Sequence, residues 1–213
     1  MHNWFLLLAL SLALGAQAAP PQRVEIVYQV SHNGTVVAEV TERLEHDGRS
    51  YSLLETWKGR GLLALRGEAQ RSSRGAVARD GLRPAEYRDV RGGRERRHAT
   101  FDPAGPAATL DQQDRLSFVW SFAFAPPQTP VAVSVSDGKG VVTYHYRGAG
   151  RERVTLAAGE FETLRLVRRK DGAGARSDEI WLAADRRYLP VRVQVTEKDG
   201  TRIDKVAVRI VEP

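Results

Sequence analysis

Residues 23–40 read RVEIVYQVSHNGTVVAEV, and this stretch decides the fold. Val24, Ile26, Tyr28 and Val30 alternate with polar or smaller residues, which is the period of a strand with one buried face. Asn33-Gly34 follows, the dipeptide that accepts the two positive φ angles of a type I′ hairpin turn. Val36, Ala38 and Val40 resume the alternation and carry it to Leu44, and Asp47-Gly48 turns the chain again. The third segment sets Tyr51, Leu53, Glu55 and Trp57 on one face. Three strands joined by two tight turns predict an antiparallel meander.

The same period runs through most of the chain. Residues 59–75 are less regular, and Leu62, Leu63 and Leu65 predict a bent strand relieved by glycines. Val77 begins a short strand that stops at Asp80-Gly81, and Arg83-Pro84 restarts extended structure. Residues 86–101 predict a hairpin about Gly92-Gly93, and residues 108–110 one more short strand. Later strands begin at Val131, Val142, Val154, Leu164, Glu179, Val191 and Ile203, with Gly148-Ala149-Gly150 read as a turn.

Residues 114–124 (DRLSFVWSFAF) break the pattern. Leu116, Val119, Trp120 and Ala123 stand at the spacing of one helix face, Asp114 is the expected N-cap, and Pro126-Pro127 stops the element. About twelve strands in one antiparallel sheet must curl, split or close. The expected fold is all-β: a large curved antiparallel sheet or incomplete β-barrel, with one short helix near residues 114–124 against it. A two-sheet sandwich is the alternative.

At the start of the chain, Trp4 to Leu14 form an apolar run of about eleven residues, closed by Gly15 and the small-x-small triplet Ala16-Gln17-Ala18. This predicts a secretory signal peptide over residues 1–18, cleaved after Ala18. The run is half the roughly twenty residues of a membrane-spanning helix. Residues 19–213 are then one β-rich domain, since no composition shift or long linker divides them. The expected location is the periplasm, with a chain that does not span a membrane.

Composition excludes several chemistries. No cysteine is present, which removes thiol catalysis, thiolate metal sites and a lipid-bearing cysteine. His32, His46, His98 and His145 show no metal-ligand spacing, so no metal and no cofactor is expected. There is no G-x-S-x-G, P-loop or G-x-G-x-x-G, and no catalytic residue is assigned. The net charge is +6, and residues 58–98 hold twelve basic against five acidic side chains. On an exported chain such a block points to anionic envelope partners rather than to nucleic acid.

Several motifs share an order: Gly81-Leu82-Arg83-Pro84, Phe101-Asp102, Gly159-Glu160-Phe161-Glu162-Thr163, Asp178-Glu179-Ile180-Trp181-Leu182-Ala183, Leu189-Pro190-Val191 and Asp199-Gly200. Together they resemble the bacterial exported family known as domain of unknown function 3108. That resemblance covers most of the chain after residue 18. It implies an exported β-rich domain and carries over no reaction and no catalytic residue.

The candidate ligand-binding residues are Trp57, Trp120, Phe122, Phe124, Tyr144 and Trp181 on a concave apolar face, with Arg91, Arg94, Arg96 and Arg97 near its rim. They suit a non-enzymatic binder of an amphiphile, a lipid or an anionic envelope polymer. Two alternatives stay open. One is a glycan-active hydrolase or lyase using Glu55 or Glu179, although a carboxylate beside a strand tryptophan is expected to pair with a neighbouring arginine. The other is an assembly factor that pairs through a sheet edge.

Overall fold

The protein is described by a computed structural model that covers residues 20–101, 112–169 and 176–212. The expected signal peptide and the expected strand at 108–110 lie outside the described residues. The first six strands are β1 (Arg23–His32), β2 (Thr35–His46), β3 (Ser50–Gly59), β4 (Ala69–Ala78), β5 (Gly81–Arg91) and β6 (Arg94–Thr100). A short helix, α1 (Ser117–Ser121), precedes β7 (Val131–Ser136), β8 (Val141–Leu156), β9 (Gly159–Arg169), β10 (Ser177–Ala183), β11 (Leu189–Thr196) and β12 (Arg202–Val211).

All twelve strands form one antiparallel sheet in the order β6-β5-β4-β3-β2-β1-β12-β11-β10-β9-β8-β7. The fold is therefore an all-β, nearly closed barrel with one seam, and the sandwich is set aside. The first and last strands pair with each other at the centre of the sheet. The first hairpin has the expected geometry, with φ of 48° at Asn33 and 83° at Gly34. Val24, Ile26, Tyr28 and Val30 are all buried on the inward face of β1.

The seam lies between β6 and β7. Gln113 covers the β7 edge in a parallel bridge, donating its N–H to Ser134 O at 2.9 Å and accepting from Ser136 N at 2.8 Å. Arg97 of β6 pairs with Asp137, just beyond β7. At Gly138 a Cβ would lie 2.1 Å from the His98 carbonyl oxygen, so only glycine lets the two edges approach this closely.

Three sequence expectations are corrected. Residues 59–75 do not open as a strand: Gly61–Arg66 form a 3-10 helix, and β4 begins at Ala69 and runs on through Val77. Gly148-Ala149-Gly150 is not a turn. β8 continues through it for 16 residues with a shift of register between Gly148 and Arg151, because glycine permits a bulge as readily as a reversal. The helix is shorter than residues 114–124, with turns on both sides of Ser117–Ser121. Asp114 still caps it, accepting the N–H groups of Leu116 at 2.8 Å and Ser117 at 2.9 Å.

The strand directions give the barrel two unlike ends. The chain between β6 and β7, which includes α1, enters from one end. At that end Trp120 packs into a core shared with β1, β2 and β3, while Phe118 and Phe122 pack against β7 to β10. The opposite end carries the β1–β2, β5–β6, β7–β8 and β11–β12 turns and the 3-10 helix between β3 and β4.

Candidate functional site

A cavity of about 260 Å³ lies inside the barrel between α1 and the strand halves nearer the 3-10 helix. Its floor includes Leu116, Phe118 and Trp120, and its apolar wall includes Tyr144, Tyr146, Ile180, Val193 and Ile203. Charged side chains line it in two groups.

The first group stands on β2, β3, β4 and β12. Glu42 and Glu55 are directly opposite each other across the β2–β3 ladder, and each is only 3% exposed. Both occupy the inward phase of an apolar strand face, as Val40-x-Glu42-x-Leu44 and Leu53-x-Glu55-x-Trp57. Two carboxylates this close and this buried require compensation. Lys205 Nζ supplies part of it, 2.5 Å from Glu42 and 3.8 Å from Glu55. Arg71 Nη1 lies 2.7 Å from Glu55, and its Nε lies 3.3 Å from Asp89. Trp120 Nε1 donates to Glu42 at 2.8 Å. The Tyr28 hydroxyl donates to the Pro190 carbonyl at 2.7 Å and lies 3.3 Å from the same carboxylate.

These contacts split the pair. Burial pushes the Glu42 carboxyl up, but Lys205 and the Trp120 indole together more than offset it, and the net shift is downward. Burial also pushes Glu55 up; Lys205 and Arg71 offset only part of that, Glu42 adds to it, and the net shift is upward. Glu55 is thus the member of the pair biased toward its protonated form.

The second group faces the first from β8 to β10. Arg168 pairs with Asp178, which also receives Arg176 Nε at 3.0 Å. The Arg168 guanidinium lies 4.0 Å from the Tyr144 ring centroid. Counting Arg115 near the floor, the lining carries five cations against three carboxyls, one of them Glu55. Two buried donors on lining residues, Trp57 Nε1 and Arg168 Nε, have no acceptor at full hydrogen-bond geometry among the described residues, although the Trp57 indole lies close enough to Glu55 to draw that carboxyl down.

The expected site residues divide. Trp57, Trp120 and Tyr144 line the cavity. Phe122 is buried in the core against β7 to β10, and Phe124 packs edge-on against His46 with ring centroids 5.0 Å apart. Trp181 lies outside the cavity, its ring between Arg165 at 5.2 Å and Arg192 at 4.6 Å. Arg91, Arg94, Arg96 and Arg97 also lie outside it. Arg91 pairs with Asp89, Arg97 holds the seam, and Arg94 and Arg96 are exposed.

Glu55 and Glu179 both take an arginine of the adjacent strand, Arg71 and Arg165 respectively. Only Glu55 faces the cavity. Among the described residues no three histidine or acidic side chains gather as metal ligands, and no helix is long and apolar enough to cross a membrane. Glu42, Arg71, Arg168, Asp178 and Lys205 were not singled out from sequence. The signal for Glu42 and Lys205 was present: a charge at a position where the strand period demands an apolar side chain.

One solved structure among the comparisons shares the fold. A search of curated proteins finds no match. A β-barrel-like protein of domain of unknown function DUF1849 from Brucella abortus superposes with a TM-score of 0.58 at 8% identity, covering 92% of this chain and 100% of that one. A candidate exported protein with a YmcC-like fold from Bacteroides fragilis gives a TM-score of 0.45 at 10% identity, covering 91% and 98% of the two chains. A candidate lipoprotein from Parabacteroides distasonis gives 0.42 at 9% identity, covering 90% and 97%. The family model for proteins of unknown function DUF3108 matches residues 27–206, and the chain belongs to that family.

Proposed function

We propose that the chain is a non-enzymatic exported protein that holds an amphiphile with an anionic head in the open end of its barrel. One observation carries this reading. The cavity combines an apolar wall with five ion-paired cations and two buried donors, Trp57 Nε1 and Arg168 Nε, that lack a well-formed acceptor among the described residues. A buried donor left unpaired costs about 1–3 kcal/mol, so an acceptor from a ligand is favoured there. An anionic head would offer acceptors to both donors and could share the lining guanidinium groups with the carboxylates that already hold them. Export is supported by the leader-like residues 1–18.

Size narrows the ligand. A volume of about 260 Å³ holds about nine volumes of the roughly 30 Å³ that a water occupies. That suits part of one acyl chain or a single head group, and is too small for a whole phospholipid. Each buried methylene contributes about 0.8 kcal/mol. A cation near anionic lipid contributes about 1 kcal/mol. Chain burial therefore sets the affinity, and the cations set the preference for the head.

Calorimetric titration with dodecyl phosphate and with dodecyl maltoside tests the reading. The phosphate should bind more tightly, and Trp57→Phe, which removes the indole N–H together with one of its two rings, should weaken the phosphate more than the maltoside. Equal affinity for the two heads, or no binding of either, would overturn the proposal.

The split carboxyl pair favours a second reading, in which Glu55 donates a proton during cleavage of an envelope glycan. Against it, both Glu42 oxygens are already engaged by Lys205, Trp120 and Tyr28. Turnover of a peptidoglycan or chromogenic glycoside substrate that disappears in Glu55→Gln would establish this reading instead.

A further inference from the structure

The open end of the barrel carries apolar side chains that internal packing does not explain. Leu62 and Leu65 of the 3-10 helix are 85% and 84% exposed. Residues at i and i+3 eclipse in a 3-10 helix, so the two leucines form one projecting stripe. Leu63 between them is half-buried. Val141 and Val142, 68% and 51% exposed, begin β8 at the same end of the barrel. Of the five large exposed hydrophobics among the described residues, only Val211 sits at the other end.

Charge follows the same division. Lys58, Arg94, Arg96, Lys139, Lys198 and Arg202 are exposed at the open end and form no ion pair among the described residues. Only two carboxylates at this end, Glu68 and Asp199, are likewise without an ion pair among the described residues. Asp137, the acidic residue of the β7–β8 turn, is engaged by Arg97 and Arg115.

We propose that this end docks on the surface of a bilayer containing anionic phospholipid. Leu62 and Leu65 enter between the head groups, and the unpaired cations meet the phosphates. Projecting apolar tips ringed by unpaired cations suit a fluid anionic interface, whereas a protein partner would call for a continuous apolar patch. The cavity lies among the strand halves nearer this same end, so docking would bring it close to a source of amphiphile. That last clause rests on the function proposed above, and the docking itself does not.

The test is flotation of the protein with vesicles of phosphatidylcholine alone and of phosphatidylcholine mixed with phosphatidylglycerol. The wild type should float with the mixed vesicles only and be released by added salt. Leu62→Ser with Leu65→Ser should lower the bound fraction about tenfold or more. Lys58→Glu with Arg94→Glu should lower it specifically at low salt. Both double variants should keep the wild-type circular dichroism and melting curve, since all four side chains are exposed. Undiminished flotation of the leucine variant, or no flotation of the wild type, would overturn the proposal. Dodecyl phosphate titration separates it from the cavity reading: flotation without dodecyl phosphate binding leaves docking standing alone, and the reverse result leaves only the cavity.

Discussion

At the plugged end of the barrel the buried polar groups around the entering chain find partners. Asp114 Oδ2 receives the Ser73 hydroxyl at 2.5 Å, and Ser73 Oγ is 2.7 Å from the Tyr51 hydroxyl. Gln113 Nε2 donates to Leu82 O at 2.7 Å, and the Ser121 hydroxyl accepts Leu82 N–H at 3.1 Å. At the open end the same barrel leaves Trp57 Nε1 and Arg168 Nε without well-formed acceptors and places Leu62 and Leu65 in solvent. The plugged end meets most of its polar needs from within the chain, with Tyr87 Oη and Glu212 Oε1 the exceptions among the described residues, while the other end adds cations and apolar surface that another molecule could use. The contrast separates the residues that hold the fold from those available for binding.

The floor between the two ends should be the most sensitive point. Trp120 is 1% exposed, belongs to the core and donates to Glu42. Trp120→Ala should destabilise the protein by about 3–5 kcal/mol, read from the denaturant midpoint. A loss below about 1 kcal/mol would mean that the floor is not structural, and the contrast between the ends would fail.

The carboxyl pair should respond asymmetrically. Glu42→Gln breaks a buried ion pair with Lys205 and should cost about 3 kcal/mol. Glu55→Gln loses the contact with Arg71, but Asp89 still holds that guanidinium and the Glu55 carboxyl is shifted upward, so the substitution should cost less than Glu42→Gln. Their pH dependences should have opposite signs. The folded Glu42 carboxyl lies below its ordinary value, so its contribution is present above the ordinary carboxyl range and lost as pH falls through the folded value. The deficit of Glu42→Gln should therefore deepen as pH rises through that range. Glu55 lies above its ordinary value, so its contribution is full below that value and lost as pH rises through the folded one. Glu55→Gln should gain on the wild type as pH rises. Denaturant titrations at several pH values would check both signs.

The smallest effect should come from the 3-10 helix. Leu62→Ser and Leu65→Ser should each change stability by no more than about 0.5 kcal/mol. A larger loss would show that the leucines pack against part of the protein, and the open end would lose its distinctive surface.

Much of this contrast was legible in the sequence only at the level of elements. The β1–β2–β3 meander followed from Val24-x-Ile26-x-Tyr28, Asn33-Gly34 and Asp47-Gly48, because period and turn chemistry are local. Asp114 declared itself as a cap through its spacing to the apolar face that follows. The 3-10 helix was missed, since three leucines within four residues look alike in a strand and in a tight helical turn. Trp181 was placed with the other aromatics, yet it lies among Arg165, Arg192 and Glu152 away from the cavity.

The sequence by itself determined the strand period, the principal turns, the capped helix and the family. It also placed Glu55 on an apolar strand face, and the same counting would have placed Glu42 and Lys205, which were passed over. The tertiary structure alone decided that β1 closes on β12, that Arg71 and Lys205 meet the two glutamates, and that the cavity lies among the strand halves nearer the 3-10 helix. Those outcomes depend on residues far apart in the chain, such as Glu42 and Lys205, whose meeting is set by strand order and curvature. A local pattern carries no record of either.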